Sequence, residues 1–102
     1  MAIKTFVSDD DKHVTIAIDD RFDFSLHQQF RDSYNQCLVE GTLFTLDLSN
    51  TSYMDSSALG MILLLKDHAE NVAGKVVITN PNADVNKILE IAQFHRLLTI
   101  ES

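Results

Sequence analysis

One stretch of this sequence has residue types and spacing that could do chemistry: Asp55-Ser56-Ser57, carried in Tyr53-Met54-Asp55-Ser56-Ser57-Ala58-Leu59-Gly60. Upstream lies a strand-like run, Thr42 to Ser49, and downstream an apolar run, Ala58 to Leu65, so the segment reads as a strand-to-helix turn. A helix N-terminus leaves backbone N–H groups unpaired and carries roughly half a positive charge. Asp and Ser oxygens accept hydrogen bonds from such groups. The same physics makes the position receptive to an added phosphate. Two readings follow from the residues alone, a plain N-cap and a modifiable serine switch.

Other chemistry finds no support. The histidines, His13, His27, His68 and His95, are dispersed without HxxxH or HExxH spacing, so no metal site is indicated. No GxSxG elbow surrounds Ser56 or Ser57, and no His or Asp is placed as a triad partner. Gly41, Gly60 and Gly74 are isolated, which leaves no glycine-rich phosphate loop. The adjacent acids Asp9, Asp10 and Asp11 read as a solvated turn. A phospho-aspartate receiver is disfavoured, because the chain is about one βα unit short and Lys75 falls at the start of its strand. The expectation is therefore a non-enzyme with neither cofactor nor metal.

The elements that must position the stretch form one domain, residues 1–102. A chain of that size buries about 60–65% of its unfolded surface without needing a disulfide or metal. The single cysteine, Cys37, fits a reducing compartment. No signal peptide is evident, and the longest apolar run, Met61 to Leu65, is too short to insert in a membrane. A net charge of −7 disfavours nucleic acid and anionic membranes and suits solubility or a basic partner. A cytoplasmic protein is expected.

Lys4 to Val7 and Val14 to Ile18 read as a hairpin around Ser8-Asp9-Asp10-Asp11-Lys12, followed by a polar loop from Asp19 to Phe24. Ser25, with Gln28 in capping-box spacing, opens a helix whose stripe is Leu26, Phe30, Ser33/Tyr34 and Cys37/Leu38, ending at a left-handed Gly41. Thr42 to Ser49 is a central strand and Asn50-Thr51-Ser52 a turn. The helix from Ser56 to Asn71 is apolar nearly all round at first, so it is either central or presents surface to a partner. Lys75 to Thr79 is a strand, Asn80-Pro81 opens a helix buried through Val85, Ile88, Leu89 and Ala92, and Leu97 to Ile100 closes the chain. The order β-β-α-β-α-β-α-β predicts an α/β domain with a mixed, mostly parallel sheet.

At Tyr53 to Gly60 the sequence resembles bacterial anti-sigma factor antagonists of the STAS domain family, whose pattern is an apolar pair followed by Asp-Ser-Ser-Gly-Leu-Gly. Asp23 matches an aspartate before the first helix, Leu46-Asp47-Leu48-Ser49 the central strand, and Asn80-Pro81 with Val85, Ile88 and Leu89 the opening of the last long helix. The resemblance implies a STAS-like domain with helices mainly on one side of the sheet. It also implies a partner-switching protein in signal transduction and transcription regulation, with outputs such as biofilm formation or motility. The unphosphorylated form would bind an anti-sigma factor or serine kinase of the histidine-kinase-like ATPase fold, which would hold ATP and Mg²⁺. Phosphorylation at Ser56 would break that binding, and a metal-dependent serine phosphatase would restore it. Asp55 would cap the helix and hold the Ser56 hydroxyl, while Ser57 would be structural. The partner-facing set would be Asp23, Asp55, Ser57, Ala58, Gly60, Met61 and Leu64. Ala58 departs from the family's glycine, and Gln93-Phe94-His95 stands where a glycine is frequent. Phe22 and Phe24 flank Asp23 as core or as added partner surface. The competing reading is a constitutive scaffold subunit of a larger signalling or transporter assembly.

Overall fold

The computed structural model describes residues 2–101. Strands β1 (Ile3–Val7) and β2 (His13–Ile18) pair antiparallel from Ile3 opposite Ile18 to Val7 opposite Val14. The Asp10 carboxylate closes their turn by accepting from the Ser8 hydroxyl and, at 3.0 Å, the Lys12 N–H. The acidic run is therefore turn chemistry, as its composition suggests.

After β3 (Asp20–Phe22), a 3₁₀ turn over Phe24–Leu26 leads into α1 (His27–Asp32). Next come β4 (Leu43–Asp47), β5 (Thr51–Met54) and α2 (Ser56–Asn71). The chain finishes with β6 (Lys75–Thr79), α3 (Ala83–Ile91), a 3₁₀ turn over Phe94–Arg96 and β7 (Thr99–Glu101). The main sheet has the order β1-β2-β4-β6-β7, parallel throughout except for the first pair. Along β2, β4 and β6 the side chains alternate between buried and half-exposed, with Ile16, Phe44, Leu46 and Ile78 fully covered. That period of two is the mark of a sheet packed on one face only.

Three expectations are corrected. First, the predicted loop after β2 and the predicted turn at Asn50-Thr51-Ser52 contribute strands β3 and β5, which pair in parallel as a second small sheet. Long-range bonds hold that pairing: Thr51 Oγ1 donates to Ile18 O at 2.7 Å and Ser52 Oγ to Asp20 Oδ1 at 2.8 Å. Asp20 takes a left-handed φ of 66° at the shift in register, a conformation that nothing in its immediate sequence demands.

Second, the first helix is opened by Asp23, not Ser25, and stops at Asp32 instead of running to Gly41. The Ser33 hydroxyl turns back onto the Phe30 carbonyl, a local bond that competes with helix continuation. Leu26, Phe30 and Tyr34 are buried as their spacing requires, whereas Leu38 is 69% exposed because the helix has ended. Gly41 is left-handed (φ 81°) as predicted, but its role differs: its N–H donates to Val72 O at the end of α2. Cys37 lies in irregular chain, where its carbonyl accepts from His68 Nε2 at 2.8 Å.

Third, α3 starts two residues later than Asn80-Pro81 suggests. Asn82 caps it through Oδ1 to the Val85 N–H at 2.8 Å, and Asn82 Nδ2 reaches Thr51 O on β5. Gly74 is fixed by close approach, since a Cβ there would lie 2.1 Å from the Thr42 carbonyl oxygen.

Helix α2 spans the predicted residues. Its buried face is Ala58, Met61, Ile62, Leu65 and Ala69, while Leu63 and Leu64 are exposed. The near-continuous apolar run thus serves two surfaces, the core and a face open to solvent.

Candidate functional site

The site forms where β5 hands over to α2. Asp55 has extended backbone (φ −122°, ψ −174°), which aims its carboxylate at the first turn of the helix. Oδ1 accepts from the Ser57 N–H at 3.0 Å, the Ala58 N–H at 3.2 Å and the Ser57 hydroxyl. Such a cap satisfies two orphan donors and is worth about 1 kcal/mol. It also corrects one detail: the hydroxyl that Asp55 holds belongs to Ser57, not Ser56. Ser56 is exposed, and its hydroxyl has no hydrogen-bond partner among the described residues.

A second helix start of the same design sits beside the first. Asp23 Oδ1 accepts from the Ser25 N–H at 3.0 Å and from the Ser25 hydroxyl. Those bonds, the hydroxyl's first, hold its carboxyl below the usual carboxylate range, with the Arg21 guanidinium helping. Because β3 and β5 pair with Phe22 opposite Met54, each capping Asp comes one residue beyond the same rung. Asp23 is thereby brought next to Asp55, 32 positions away in sequence. One rung earlier, Arg21 lies opposite Tyr53, with its guanidinium carbon 4.4 Å from the ring centre. Arg21 Nε also stands 3.4 Å from Asp23 Oδ2.

The predicted partner-facing residues are not equivalent. Ser57, Gly60 and Leu64 reach one surface of α2, Met61 shows only its edge there, and Asp55 stays half-buried at the N-cap. Ala58 is fully buried and faces the core, so it presents nothing to a partner. Gly60 has open space above it: a Cβ there would meet nothing within 4 Å. Neither left-handed backbone nor close packing requires glycine at this position, and glycine inside a helix costs about 1 kcal/mol relative to alanine.

Phe22 is wholly buried and packs against Phe30 with ring centres 5.1 Å apart and planes tilted by 50°. Phe24 is 63% exposed, and its ring stacks parallel to that of His27 with centres 4.5 Å apart. Phe24, His27, Phe30, Arg31 and Tyr34 form one wall of a groove of about 440 Å³, and Ser57, Gly60, Met61 and Leu64 form the other. The sequence reading left Phe24 open and missed His27, Arg31 and the Arg21–Tyr53 pair. A signal was present: of the three Asp-x-Ser occurrences, those at Asp23 and Asp55 are followed by an apolar residue, Leu26 or Ala58, whereas the one at Asp47 is followed by Asn50.

The whole-chain comparison decides the family, for the STAS domain matches residues 5–102. The chain belongs to the STAS domain family. A STAS-domain containing protein of Pseudomonas aeruginosa (strain UCBPP-PA14) is 44% identical over 100 residues, covering 98% of this chain and 99% of that one. The anti-sigma F factor antagonist of Lysinibacillus sphaericus is 28% identical over 81 residues, covering 78% of this chain and 69% of that one. Among solved structures, the anti-sigma factor antagonist SpoIIAA in its unphosphorylated form superposes with a TM-score of 0.73 at 19% identity, covering 99% of this chain and 88% of that one. The phosphorylated form of SpoIIAA, a Bacillus cell fate determinant, gives 0.70 at 20% identity over 99% and 92% of the two chains. At that identity the likeness carries the fold, a STAS domain with a mixed sheet and three helices. Among the described residues no group of three or more His, Cys, Asp or Glu is placed to hold a metal, and no helix is long and apolar enough to cross a membrane.

Proposed function

We infer that this STAS domain is a phosphorylation-controlled protein-binding switch. Its unphosphorylated form binds an anti-sigma factor or serine kinase of the histidine-kinase-like ATPase fold. Phosphate on Ser56 abolishes that binding, and a metal-dependent serine phosphatase reverses it. The observation that carries the reading is the division of labour between two neighbouring serines. The Ser57 hydroxyl is bound to the capping Asp55, whereas the Ser56 hydroxyl is exposed and unpartnered among the described residues. An acceptor for phosphoryl transfer must be reachable and free, and Ser56 meets both conditions. A relative named as an anti-sigma F factor antagonist, and a fold neighbour known with and without its phosphate, add support.

The physics of the switch follows from the site. A phosphoserine brings about −1.5 to −2 charges at neutral pH. In the first turn of α2 that charge meets the positive end of the helix, so the fold tolerates it. Two carboxylates, Asp55 and Asp23, already stand at the adjoining helix starts, and Arg21 is engaged with Asp23 and Tyr53. A partner covering Ser56 and the open face at Gly60 and Leu64 must then desolvate an uncompensated dianion. A loss of ~3 kcal/mol at the interface lowers affinity more than a hundredfold.

The test compares Ser56→Ala with Ser56→Asp for binding to the kinase by calorimetry. Alanine is expected to stay within a few-fold of the parent, and aspartate to lose most of the affinity. Equal affinity for the two variants, with both folded, would contradict an electrostatic switch.

A further inference from the structure

The chain carries 15 acidic and 8 basic residues, yet among the described residues no carboxylate lines the groove between α1 and α2. Both walls are largely apolar, but only one carries a charge. The α1 side adds His27 and Arg31, four residues apart and so on one helical face, to Phe24, Phe30 and Tyr34. Arg31 has no acid within 4.0 Å among the described residues. The α2 side offers Gly60, Met61 and Leu64, all uncharged, and the space above Gly60 is open. At about 440 Å³ the groove falls within the size range of small-molecule sites, which combine apolar lining with a few polar groups.

From this asymmetry we propose that the groove binds a small amphiphilic anion, a medium-chain carboxylate, with its head group on Arg31 and its tail along Met61 and Leu64. A guanidinium presents two parallel donors that match a carboxylate, so the cationic wall fixes the head. Burial against the apolar wall supplies the remainder of the affinity. The apolar wall runs from Ser57 to Leu64, seven residues or roughly 10 Å at the helical rise. That length suits a ligand tail better than a partner helix, which spaces its anchors at i, i+3 or i+4 and i+7 over several turns. Ser57, Gly60 and Leu64 also belong to the surface assigned above to the protein partner. A filled groove therefore competes with that partner and gives the switch a second input besides phosphate. This consequence rests on the proposed function; binding of the carboxylate does not.

The experiment titrates the isotopically labelled full chain, without any kinase, with sodium decanoate, and in parallel with decanol. Saturable amide shifts confined to Phe24–Tyr34 and Ser57–Leu64 are expected below about 1 mM, with decanol the weaker ligand. Arg31→Gln is expected to weaken decanoate binding about tenfold. Gly60→Leu, which fills the groove, is expected to abolish it while the amide dispersion stays native. Absence of saturable shifts, equal binding of decanol, or unchanged affinity in folded Arg31→Gln would each overturn the proposal. If decanoate fails to bind while Gly60→Leu still loses the kinase, the groove is a protein surface and the proposed switch survives. If decanoate binds but Ser56 accepts no phosphate, the ligand site stands and the switch falls.

Discussion

The two helix starts, Asp23-Phe24-Ser25 and Asp55-Ser56-Ser57, are the same device carrying different side chains. In each, an extended Asp accepts from the backbone and hydroxyl of the serine two residues on. In each, the middle residue is left pointing to solvent. The middle residue is Phe24 at one start and Ser56 at the other. The cap is the same in both, and what differs is the residue it leaves free. Phe24 supplies apolar surface to the groove, and Ser56 supplies a hydroxyl. Parallel pairing of β3 with β5 sets the two outputs side by side.

The helices behind the caps differ as well. Helix α1 has 6 residues after a 3₁₀ turn, and α2 has 16. The longer helix buries five side chains and carries the open face at Gly60 and Leu64. The shorter one buries only Phe30 within its helical span. More of the fold therefore depends on Asp55 than on Asp23.

The largest effect that separates the two starts concerns binding. Charge at the middle position of the second start, as Ser56→Asp, is expected to cost the kinase interaction on the order of a hundredfold. The equivalent Phe24→Asp is expected to cost less, because it removes contact area at the groove without touching the proposed acceptor. Calorimetric titrations of both variants check this, and a larger loss at Phe24 would invert the comparison.

Next come the caps themselves. Asp55→Ala is expected to lower stability by about 1–2 kcal/mol, as lost N-caps do, and Asp23→Ala by less. Urea unfolding midpoints give both values. The ordering fails if Asp23 proves the more costly of the two.

A smaller and opposite effect is expected at Gly60. Gly60→Ala should stabilise the free protein by about 0.5–1 kcal/mol, since the added methyl meets nothing and alanine favours helix. The same change should weaken the partner, because the methyl projects into the surface it covers. Unfolding and binding measured on one preparation reveal whether the signs are opposed.

The smallest effect is pH dependence. Asp23 is held below its ordinary value of 3.8, chiefly by the Ser25 hydroxyl. A depressed carboxyl binds fewer protons folded than unfolded, so its contribution is complete above about pH 4 and fades as pH falls through the folded value. Asp10 behaves likewise through Ser8. Asp23→Asn is therefore expected to flatten the acid limb of the stability profile and leave the profile above pH 5 parallel to the parent's.

Legibility in the sequence followed the range of the interactions. Helix α2 and strand β6 have the limits that capping and β-branching predict, because Asp55, Gly74 and Val76-Val77-Ile78 signal locally. Strands β3 and β5 gave no such signal. Each is three or four residues long, and their pairing rests on contacts between Ile18, Asp20, Thr51 and Ser52, more than 30 positions apart across the two strands. The same pairing hid the juxtaposition of Asp23 with Asp55. The end of α1 was missed because Phe30 and Tyr34 keep helical spacing into a chain that Ser33 has already turned away. Of the site, Asp55, Ser56 and Ser57 could be read from type and spacing. Which hydroxyl the carboxylate holds is a matter of geometry, and so is the burial of Ala58.

The central claim is that the cap binds Ser57 and leaves Ser56 free to accept phosphate. Its most direct measurement incubates the intact chain with the cognate kinase and ATP and maps the modified residue by fragmentation mass spectrometry. One phosphate is expected, on Ser56, and none on the Ser56→Ala variant. Phosphate on Ser57, or on Ser25 at the sister cap, would contradict it.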